Sequence, residues 1–249
     1  MLRSEDTLAR VTETALPLPG VRTAPSFRDV ATPRRVARAL ALAAKNVIDR
    51  VGATVLLLLA SPLLVAIAAA VLLSSAGSIF YRQRRVGRHG DEFTILKFRT
   101  MVETDDAQGE ADAAWAAAEL GLPVPELPPD RSTRIGRVLR RYGLDELPQL
   151  VNVLKGDMAL VGPRPERSTF ASQFERHIPG YGARHRMRPG MTGWAQVHGL
   201  RGQTSLHART ERDNEYIDRW NLWLDLRILA RTPAALVAGS RDGQHVNGR

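Results

Sequence analysis

Residues 140–165 read Arg-Arg-Tyr-Gly-Leu-Asp-Glu-Leu-Pro-Gln-Leu-Val-Asn-Val-Leu-Lys-Gly-Asp-Met-Ala-Leu-Val-Gly-Pro-Arg-Pro, and the rest of the chain is best understood around this stretch. Two adjacent carboxylates, Asp145 and Glu146, precede Leu147-Pro148. Because proline is favoured at the first position of a helix, the pair is predicted to cap one. Apolar residues follow at helical spacing, and Gly156 is expected to end the helix in the left-handed conformation.

The charges around the two carboxylates suggest phosphate chemistry. The macrodipole and free N–H groups of a helix start stabilise ionised carboxylates, so Asp145 is expected to stay deprotonated as a nucleophile or metal ligand. Arg140, Arg141 and Arg164 could neutralise phosphate charge beside it. The simpler alternative is that Asp145 only caps a helix.

Composition limits the possibilities without choosing among them. The chain has 249 residues and a formal net charge of +9, which favours an anionic partner: nucleic acid, lipid headgroups or a phosphorylated substrate. It contains no cysteine, which excludes disulfides and thiolate metal sites. Its six histidines show no pair at metal-ligand spacing on a recognisable helix.

A long apolar run from Val51 to Leu73 contains no charged residue and could cross a membrane. Ser61-Pro62 lies near its middle, where proline removes a helical hydrogen bond, so a kink or break is expected. Basic residues are about equally frequent on both flanks, so both ends are expected on the cytoplasmic side. A re-entrant helix hairpin satisfies both features, while a kinked transmembrane helix and a buried soluble hairpin are the alternatives.

Three further segments are predicted to surround the carboxylates. Residues 79–101 contain short apolar runs around Gly87 and Gly90, which predicts a β-hairpin whose second strand presents Lys97 on one face. Residues 131–141 form a short basic amphipathic helix suited to a membrane surface. The turn at 188–193, Arg-Pro-Gly-Met-Thr-Gly, could form a phosphate-binding nest, although such turns are usually only turns.

Aromatic residues mark the last predicted helix. Tyr216, Trp220, Trp223 and Ile228 recur at helical spacing, which suits a membrane interface or a protein core, and Asp225 lies beside that face.

Several of these motifs together resemble a known family. Leu-Asp-Glu-Leu-Pro-Gln-Leu, Asn-Val-Leu-Lys-Gly-Asp-Met and Gly-Pro-Arg-Pro occur in the order and spacing of the bacterial sugar transferases, the monotopic phosphoglycosyl transferases. The resemblance extends from about residue 45 to 229 and includes Lys-Phe-Arg-Thr-Met at 97–101 and Arg-Pro-Gly-Met-Thr-Gly-Trp-Ala-Gln-Val at 188–197. Several motifs in the right order are far more specific than one short pattern.

The resemblance implies a reaction and a set of roles. The expected reaction moves a sugar 1-phosphate from a UDP-sugar to polyprenyl phosphate through a phosphosugar-aspartyl intermediate and releases UMP. Asp145 would be the nucleophile, Glu146 would hold Mg²⁺, and Asp225 would support the metal or a cation. The phosphates would be bound by Lys97, Arg140, Arg164, Arg188 and Arg201.

The resemblance also implies an architecture and a location. The expected fold is α+β and helix-rich, with a re-entrant membrane helix hairpin, interfacial amphipathic helices and a small β-hairpin or sheet around the active site. The expected organisation is a mobile leader at 1–44, a re-entrant helix at 45–76, a cytosolic catalytic domain at 77–238 and a flexible tail at 239–249. The protein would be monotopic in the bacterial inner membrane with its catalytic domain on the cytoplasmic face, in contact with membrane lipids and without nucleic acid. The sequence does not indicate an oligomeric state.

The segment from Gln196 to Thr204 departs from the commonest family pattern. It is similar to that of members which transfer hexose phosphates such as glucose or galactose, so a hexose is the expected sugar. Two other functions stay open at this point. A membrane-anchored basic binding protein would explain the charge and the apolar run, and a nucleotide-sugar phosphodiesterase would send the same intermediate to water.

Overall fold

The computed structural model describes residues 33–102, 113–114, 116–120, 131–201 and 204–242. The chain divides into two units, 1–39 and 40–249, and of the first only the start of a helix is described. The first 32 residues of the predicted leader lie outside the described residues, and its remainder is helical. Of the predicted tail, 243–249 also lie outside, while 239–242 belong to the last helix.

The described elements are mainly helical, which confirms a helix-rich α+β fold. The helices are α1 Pro33–Ser74, α2 Arg134–Tyr142, α3 Gln149–Lys155, α4 Ser168–His177, α5 Trp194–Val197, α6 Leu206–Arg219 and α7 Leu222–Asp242. The strands are β1 Phe80–Val86, β2 Glu92–Phe98, β3 Ala159–Val161 and β4 Gly190–Thr192. Short 3-10 turns occupy Arg88–Gly90, Leu144–Glu146 and Tyr181–Arg186.

The predicted β-hairpin is confirmed. β1 and β2 pair antiparallel with Phe80 opposite Phe98 and Tyr81 opposite Lys97. At its tip His89 adopts a left-handed conformation with φ of 61°, which is uncommon for a residue other than glycine. Because directly opposite residues share a face of a β-ladder, Tyr81 and Lys97 point to the same side of the hairpin.

Within residues 188–193, where a phosphate nest or a simple turn was expected, Gly190–Thr192 form a strand. β4 runs parallel to β3, with Ala159 paired to Gly190 and Val161 to Thr192. The Gly190 amide donates to the Pro163 carbonyl at 2.8 Å and is therefore not free for a ligand. A Cβ on Gly190 would overlap the backbone of Gly162, so this close pairing requires glycine.

The main core lies between the two small sheets and the helices. It contains buried apolar residues from six elements and two loop residues, Met158 and Met187. The residues from the elements are Ala53, Ile95, Leu150, Val153, Leu160, Val161, Tyr216, Ile217 and Ile228. A second cluster joins the end of α1 to the hairpin and α2 through Ile67, Val71, Phe98 and Leu139. The apolar helix thus packs on the same body that carries the two carboxylates.

The predicted break at Ser61-Pro62 is not confirmed. α1 is one continuous helix with Pro62 inside it. Proline lacks the N–H that would bond the carbonyl of Leu58, and the Ser61 hydroxyl donates to that carbonyl at 2.8 Å instead. The hydroxyl therefore replaces the lost helical bond. By length and composition, α1 could cross a membrane.

The aromatic C-terminal helix was predicted as one element, but the structure has two. α6 ends at Arg219 and α7 begins at Leu222, because Trp220 has an extended ψ of 132°. The turn sends Tyr216 into the core, whereas Trp223 is 66% exposed on α7. Val138 and Tyr142 on α2 are also exposed.

Candidate active site

The two carboxylates lie in a 3-10 turn between α2 and α3. Gly143 ends α2 in the left-handed conformation at φ 67°, and Asp145 and Glu146 follow in the turn at Leu144–Glu146. The residue at the N-cap of α3 is Pro148, so the prediction that the carboxylates cap this helix is wrong. The helix itself is confirmed, and Gly156 ends it at φ 90°.

Glu146 is held by two cations from different parts of the chain. Lys97 Nζ on β2 donates to its Oε1 at 2.7 Å, and Arg164 Nη2 donates to the same oxygen at 3.1 Å. Burial acts to raise the pKa of Glu146, but Arg164 and Lys97 outweigh it and hold the pKa well below its usual range. Glu146 is therefore ionised, and a charge-assisted pair of donors fixes one of its two oxygens.

Asp145 differs from Glu146 both in its contacts and in the direction of its pKa shift. Within the described residues no hydrogen bond or ion pair reaches its carboxylate. Burial and the adjacent charge of Glu146 raise the pKa of Asp145, against the attraction of Lys97, Arg140 and Arg164. The sequence predicted that a helix start keeps Asp145 ionised, but the helix begins after Pro148 and the charges around Asp145 act on it instead. The raised pKa makes the ionised carboxylate a stronger base, and the lack of described partners leaves both of its oxygens available.

Two other predicted cations lie close to this pair. Arg140 attracts Asp145, and its guanidinium is oriented by Thr100 Oγ1 at 2.8 Å and Ser132 Oγ at 3.3 Å. Arg201 donates from Nε to the Gln196 carbonyl at 3.1 Å. Burial and the neighbouring Arg164 lower the pKa of Arg201, while Glu146 opposes them, so its guanidinium belongs to the same group.

Sequence reasoning missed three residues on this side of the hairpin. Tyr81, Arg85 and Arg167 interact with one another electrostatically, and burial followed by Arg85 lowers the pKa of Arg167 to about 10. Arg85 also donates to the Pro165 carbonyl at 3.1 Å, which ties β1 to the segment that carries Arg164. Strand alternation with Lys97 could have found Tyr81 and Arg85, but nothing in the pattern near Arg167 indicated its position.

A buried ionic network lies behind Arg164. Glu166 Oε1 accepts from Arg209 Nη1 at 2.6 Å and from Arg184 Nη1 at 3.5 Å, and Arg184 Nη2 also bonds Asp213. Arg184 donates to the Arg164 carbonyl at 3.1 Å. The network therefore fixes the backbone from which the Arg164 guanidinium reaches Glu146.

Two predicted site residues, Asp225 and Arg188, have contacts away from the two carboxylates. Asp225 is buried and accepts hydrogen bonds from Lys45 at 2.7 Å, Tyr216 at 2.7 Å and Trp220 at 3.2 Å. Arg188 donates to Asn46 on α1. The described contacts of Asp225 and Arg188 include neither Asp145 nor Glu146.

The acidic side chains of the site offer few ligands for Mg²⁺. Among the described residues there is no cluster of three or more acidic, histidine or cysteine side chains that would enclose a metal. Mg²⁺ is commonly held by one or two carboxylates together with substrate phosphates, which does not require such a cluster. Asp145 and the second oxygen of Glu146 are free of described partners and fit that mode. The geometry gives no arrangement in which Asp225 joins them.

The arrangement is suited to an anionic substrate. An available carboxylate lies beside Lys97, Arg140, Arg164 and Arg201, whose donors can bind phosphate oxygens once a ligand is present. Carboxylates act as nucleophiles in covalent catalysis when their surroundings favour the transition state. The site can therefore bind a phosphate ester and present an oxygen nucleophile to it.

Comparison with known proteins agrees with this chemistry. The chain is 44% identical over 197 residues to the UDP-glucose:undecaprenyl-phosphate glucose-1-phosphate transferase of Caulobacter vibrioides, covering 78% of this chain and 69% of that protein. It is 43% identical over 202 residues to the protein of the same name from Xanthomonas campestris, covering 80% of this chain and 39% of that protein.

The name of a third relative specifies a different sugar. The UDP-N-acetylgalactosamine-undecaprenyl-phosphate N-acetylgalactosaminephosphotransferase of Aeromonas hydrophila is 41% identical over 197 residues, which cover 78% of this chain and 44% of that protein. The chain thus spans less than half of two of these relatives. Residues 40–239 match the family described as bacterial sugar transferase. The chain belongs to the bacterial sugar transferase family and is a transferase enzyme.

Proposed function

We propose that the protein transfers a sugar 1-phosphate from a UDP-sugar to a polyprenyl phosphate, with Asp145 as the nucleophile. The observation that carries the proposal is the contrast between the two carboxylates: Glu146 is fixed by Lys97 and Arg164, while Asp145 beside it has no described partner. The relatives whose names specify undecaprenyl phosphate as acceptor support the choice of substrates.

The proposed reaction has two displacements at one phosphorus atom. In the first, a carboxylate oxygen of Asp145 attacks the phosphorus that bears the sugar, and the bond from that phosphorus to the bridging diphosphate oxygen breaks. UMP leaves with the electron pair. In the second, an oxygen of the lipid phosphate attacks the same phosphorus, and Asp145 leaves as a carboxylate. The product is a lipid-linked diphosphate sugar.

The neighbouring cations would act on the charge of the phosphates. Lys97 and Arg164 lie within hydrogen-bond reach of Glu146 and can bind phosphoryl oxygens beside it. Arg140 and Arg201 extend this surface in two further directions. Glu146 and Asp145 would hold Mg²⁺, which supplies charge neutralisation of the diphosphate when bound. Positioning and electrostatic stabilisation account for most of the catalysis in phosphoryl transfer.

The contacts of α1 support a helix that enters one leaflet of the membrane without crossing it, even though α1 continues through Pro62 without a break. Just before the uncharged part of α1, Asp49 accepts a hydrogen bond from the Leu160 amide at 3.3 Å, and just after α1 the carbonyls of Ser75 and Ala76 accept from Arg99. A helix that crosses the bilayer places its ends on opposite sides, about 30 Å apart. Both ends of this segment instead contact one catalytic body, and Leu59 between them is 75% exposed. We therefore place the middle of α1 in the cytoplasmic leaflet of the inner membrane.

A hexose such as glucose or galactose is the proposed sugar, and the product would begin a surface polysaccharide. The relatives carry names for both glucose and N-acetylgalactosamine transfer, so they support a sugar of this size without distinguishing the two.

The test is a transfer assay with the full chain. The purified protein is incubated in detergent with a panel of UDP-sugars, with and without undecaprenyl phosphate, and UMP release is measured. We expect release that depends on the lipid, loss of turnover in Asp145→Asn, and normal turnover in Lys155→Met, which changes an exposed lysine of α3. A phosphosugar adduct on the peptide containing Asp145 should be detectable by mass spectrometry when the lipid is omitted.

The rival functions give different results. Continuous UMP release without lipid would indicate a phosphodiesterase. No release from any UDP-sugar, with membrane association intact, would indicate a binding protein. Full activity in Asp145→Asn would refute the nucleophile assigned here.

A further inference from the structure

A second group of cations lies near the start of the apolar part of α1. Arg188 follows the 3-10 turn at Tyr181–Arg186 and donates from Nη1 to the amide oxygen of Asn46. Arg50 lies one helical turn after Asn46 on the same face of α1. Arg88 lies at the exposed tip of the β-hairpin, which packs against the 3-10 turn. Three separate segments thus bring their arginines to one place.

A small cavity of about 30 Å³ lies beside two of these arginines, Arg88 and Arg188. Its polar lining comes from Lys45, Asn46, Arg88, Arg186 and Arg188, and the lining contains no acidic side chain. The volume is that of roughly one water molecule, so one phosphoryl oxygen could enter while the rest of a phosphate stays outside.

The cations of the group differ in whether they are neutralised. Lys45 is paired with Asp225 and Asp49, and Arg186 is paired with Asp218 at 2.9 Å. Arg50, Arg88 and Arg188 have no ion pair with any described residue.

The nearby acids do not compensate these three arginines. Burial lowers the pKa of Arg188, followed by repulsion from Arg50 and then Arg88, and these effects outweigh the attraction of Asp49 and Asp157. Asp49 is already bonded to Lys45, and Asp157 accepts from Asn152. The group therefore carries an excess of positive charge, which an anion would relieve.

The position of the group on α1 indicates where that anion comes from. Val47, Ile48 and Val51 are more than half exposed and lie within a turn of Asn46 and Arg50. The uncharged part of α1 begins at Val51. Arginines beside such a boundary lie at the depth of lipid phosphates, where their stems cover apolar surface and their guanidinium groups remain in the polar layer.

We propose that Arg50, Arg88 and Arg188 form a binding site for the phosphate of an anionic phospholipid, separate from the site around Glu146. A guanidinium can bind phosphate oxygens with two parallel hydrogen bonds, and three of them from different segments would hold a headgroup in a defined place. The bound lipid would join α1, the hairpin tip and the segment after the 3-10 turn. The proposal does not depend on the sugar or the reaction.

The test measures lipid-dependent stability of the full chain in detergent. Phosphatidylglycerol or phosphatidylcholine is added to the micelles at equal mole fraction, and Tm is followed by intrinsic fluorescence. For the unaltered protein we expect phosphatidylglycerol to raise Tm by about 3 °C more than phosphatidylcholine, the size expected for a site occupied at about ten times its Kd. Arg88→Gln should reduce this difference, and Arg50→Gln combined with Arg88→Gln should remove it.

A matched control separates this site from general charge attraction. Arg176→Gln removes an exposed arginine of α4, and it should keep the full difference between the two lipids. Inorganic phosphate at the same concentration should not reproduce the effect; an equal effect would show a free-anion site and overturn the assignment to lipid. Equal response of the unaltered protein to both lipids, or an unchanged response in Arg88→Gln and the double variant, would also overturn it.

Discussion

Replacing Arg184 by methionine should destabilise the protein strongly, because it breaks a buried ionic network. Arg184 is 1% exposed and bonds Glu166, Asp213 and the Arg164 carbonyl. Methionine fills a similar volume but leaves the buried Asp213 carboxylate without its cation. Removing one partner of a buried pair typically costs about 3–5 kcal/mol. For a domain of this size we expect Tm to fall by about 10 °C.

The matched control lies two residues along the same turn. Arg186 pairs with Asp218, and both side chains are at least half exposed. Exposed pairs contribute about 0–1 kcal/mol, so Arg186→Met should lower Tm by no more than about 3 °C. Both variants are compared in one detergent by thermal unfolding. Similar Tm values for the two variants would refute the argument that burial decides the cost.

Four other changes give separate predictions. Lys97→Met should reduce the rate of UMP release about 100-fold, as loss of one stabilising donor does, with little change in Tm, because Arg164 still holds Glu146; unchanged turnover would contradict a role for Lys97. Glu166 has a pKa of about 2 against an ordinary 4.5, so its contribution to stability is complete above pH 4.5 and is lost as the pH falls towards 2; the acid side of a plot of Tm against pH should be shallower in Glu166→Gln. Gly136→Ala places a methyl group on the Thr100 backbone, so α2 should detach and limited proteolysis near it should accelerate; normal resistance would argue against this packing. Arg99→Met should lower both Tm and transferase activity, and a loss of neither would show that this arginine does not anchor the end of α1.

The sequence predicted those parts of the molecule that depend on local pattern. The β-hairpin followed from alternation around two glycines, and the helix after Pro148 followed from apolar spacing and Gly156. Arg164 was grouped with the carboxylates because it lies close to them in the sequence, whereas the grouping of Lys97 with Glu146 came from the family resemblance, since their separation along the chain gives no sign of contact. The features that the sequence did not predict mostly depend on tertiary contacts. The pKa of Asp145 is set by burial and by the charge of Glu146, which no local rule supplies.

Arg188 and Asp225 show the same limit in another way. Arg188 and Asp225 belong to recognisable motifs, but their partners Asn46 and Lys45 lie far away in sequence on α1. The uninterrupted passage of α1 through Pro62 depends on the rotamer of a single serine, which supplies the hydrogen bond that the proline cannot. The pattern around Ser61-Pro62 could indicate a perturbation but not its outcome.

Arg99 couples the end of α1 to the strand that carries Lys97. Its guanidinium closes the last carbonyls of α1, and the same strand presents Lys97 two residues earlier. A chain whose apolar helix has not found its lipid environment would leave these carbonyls unsecured and the lysine loosely placed. We therefore expect the rate of donor cleavage to depend on how the apolar helix is seated in lipid.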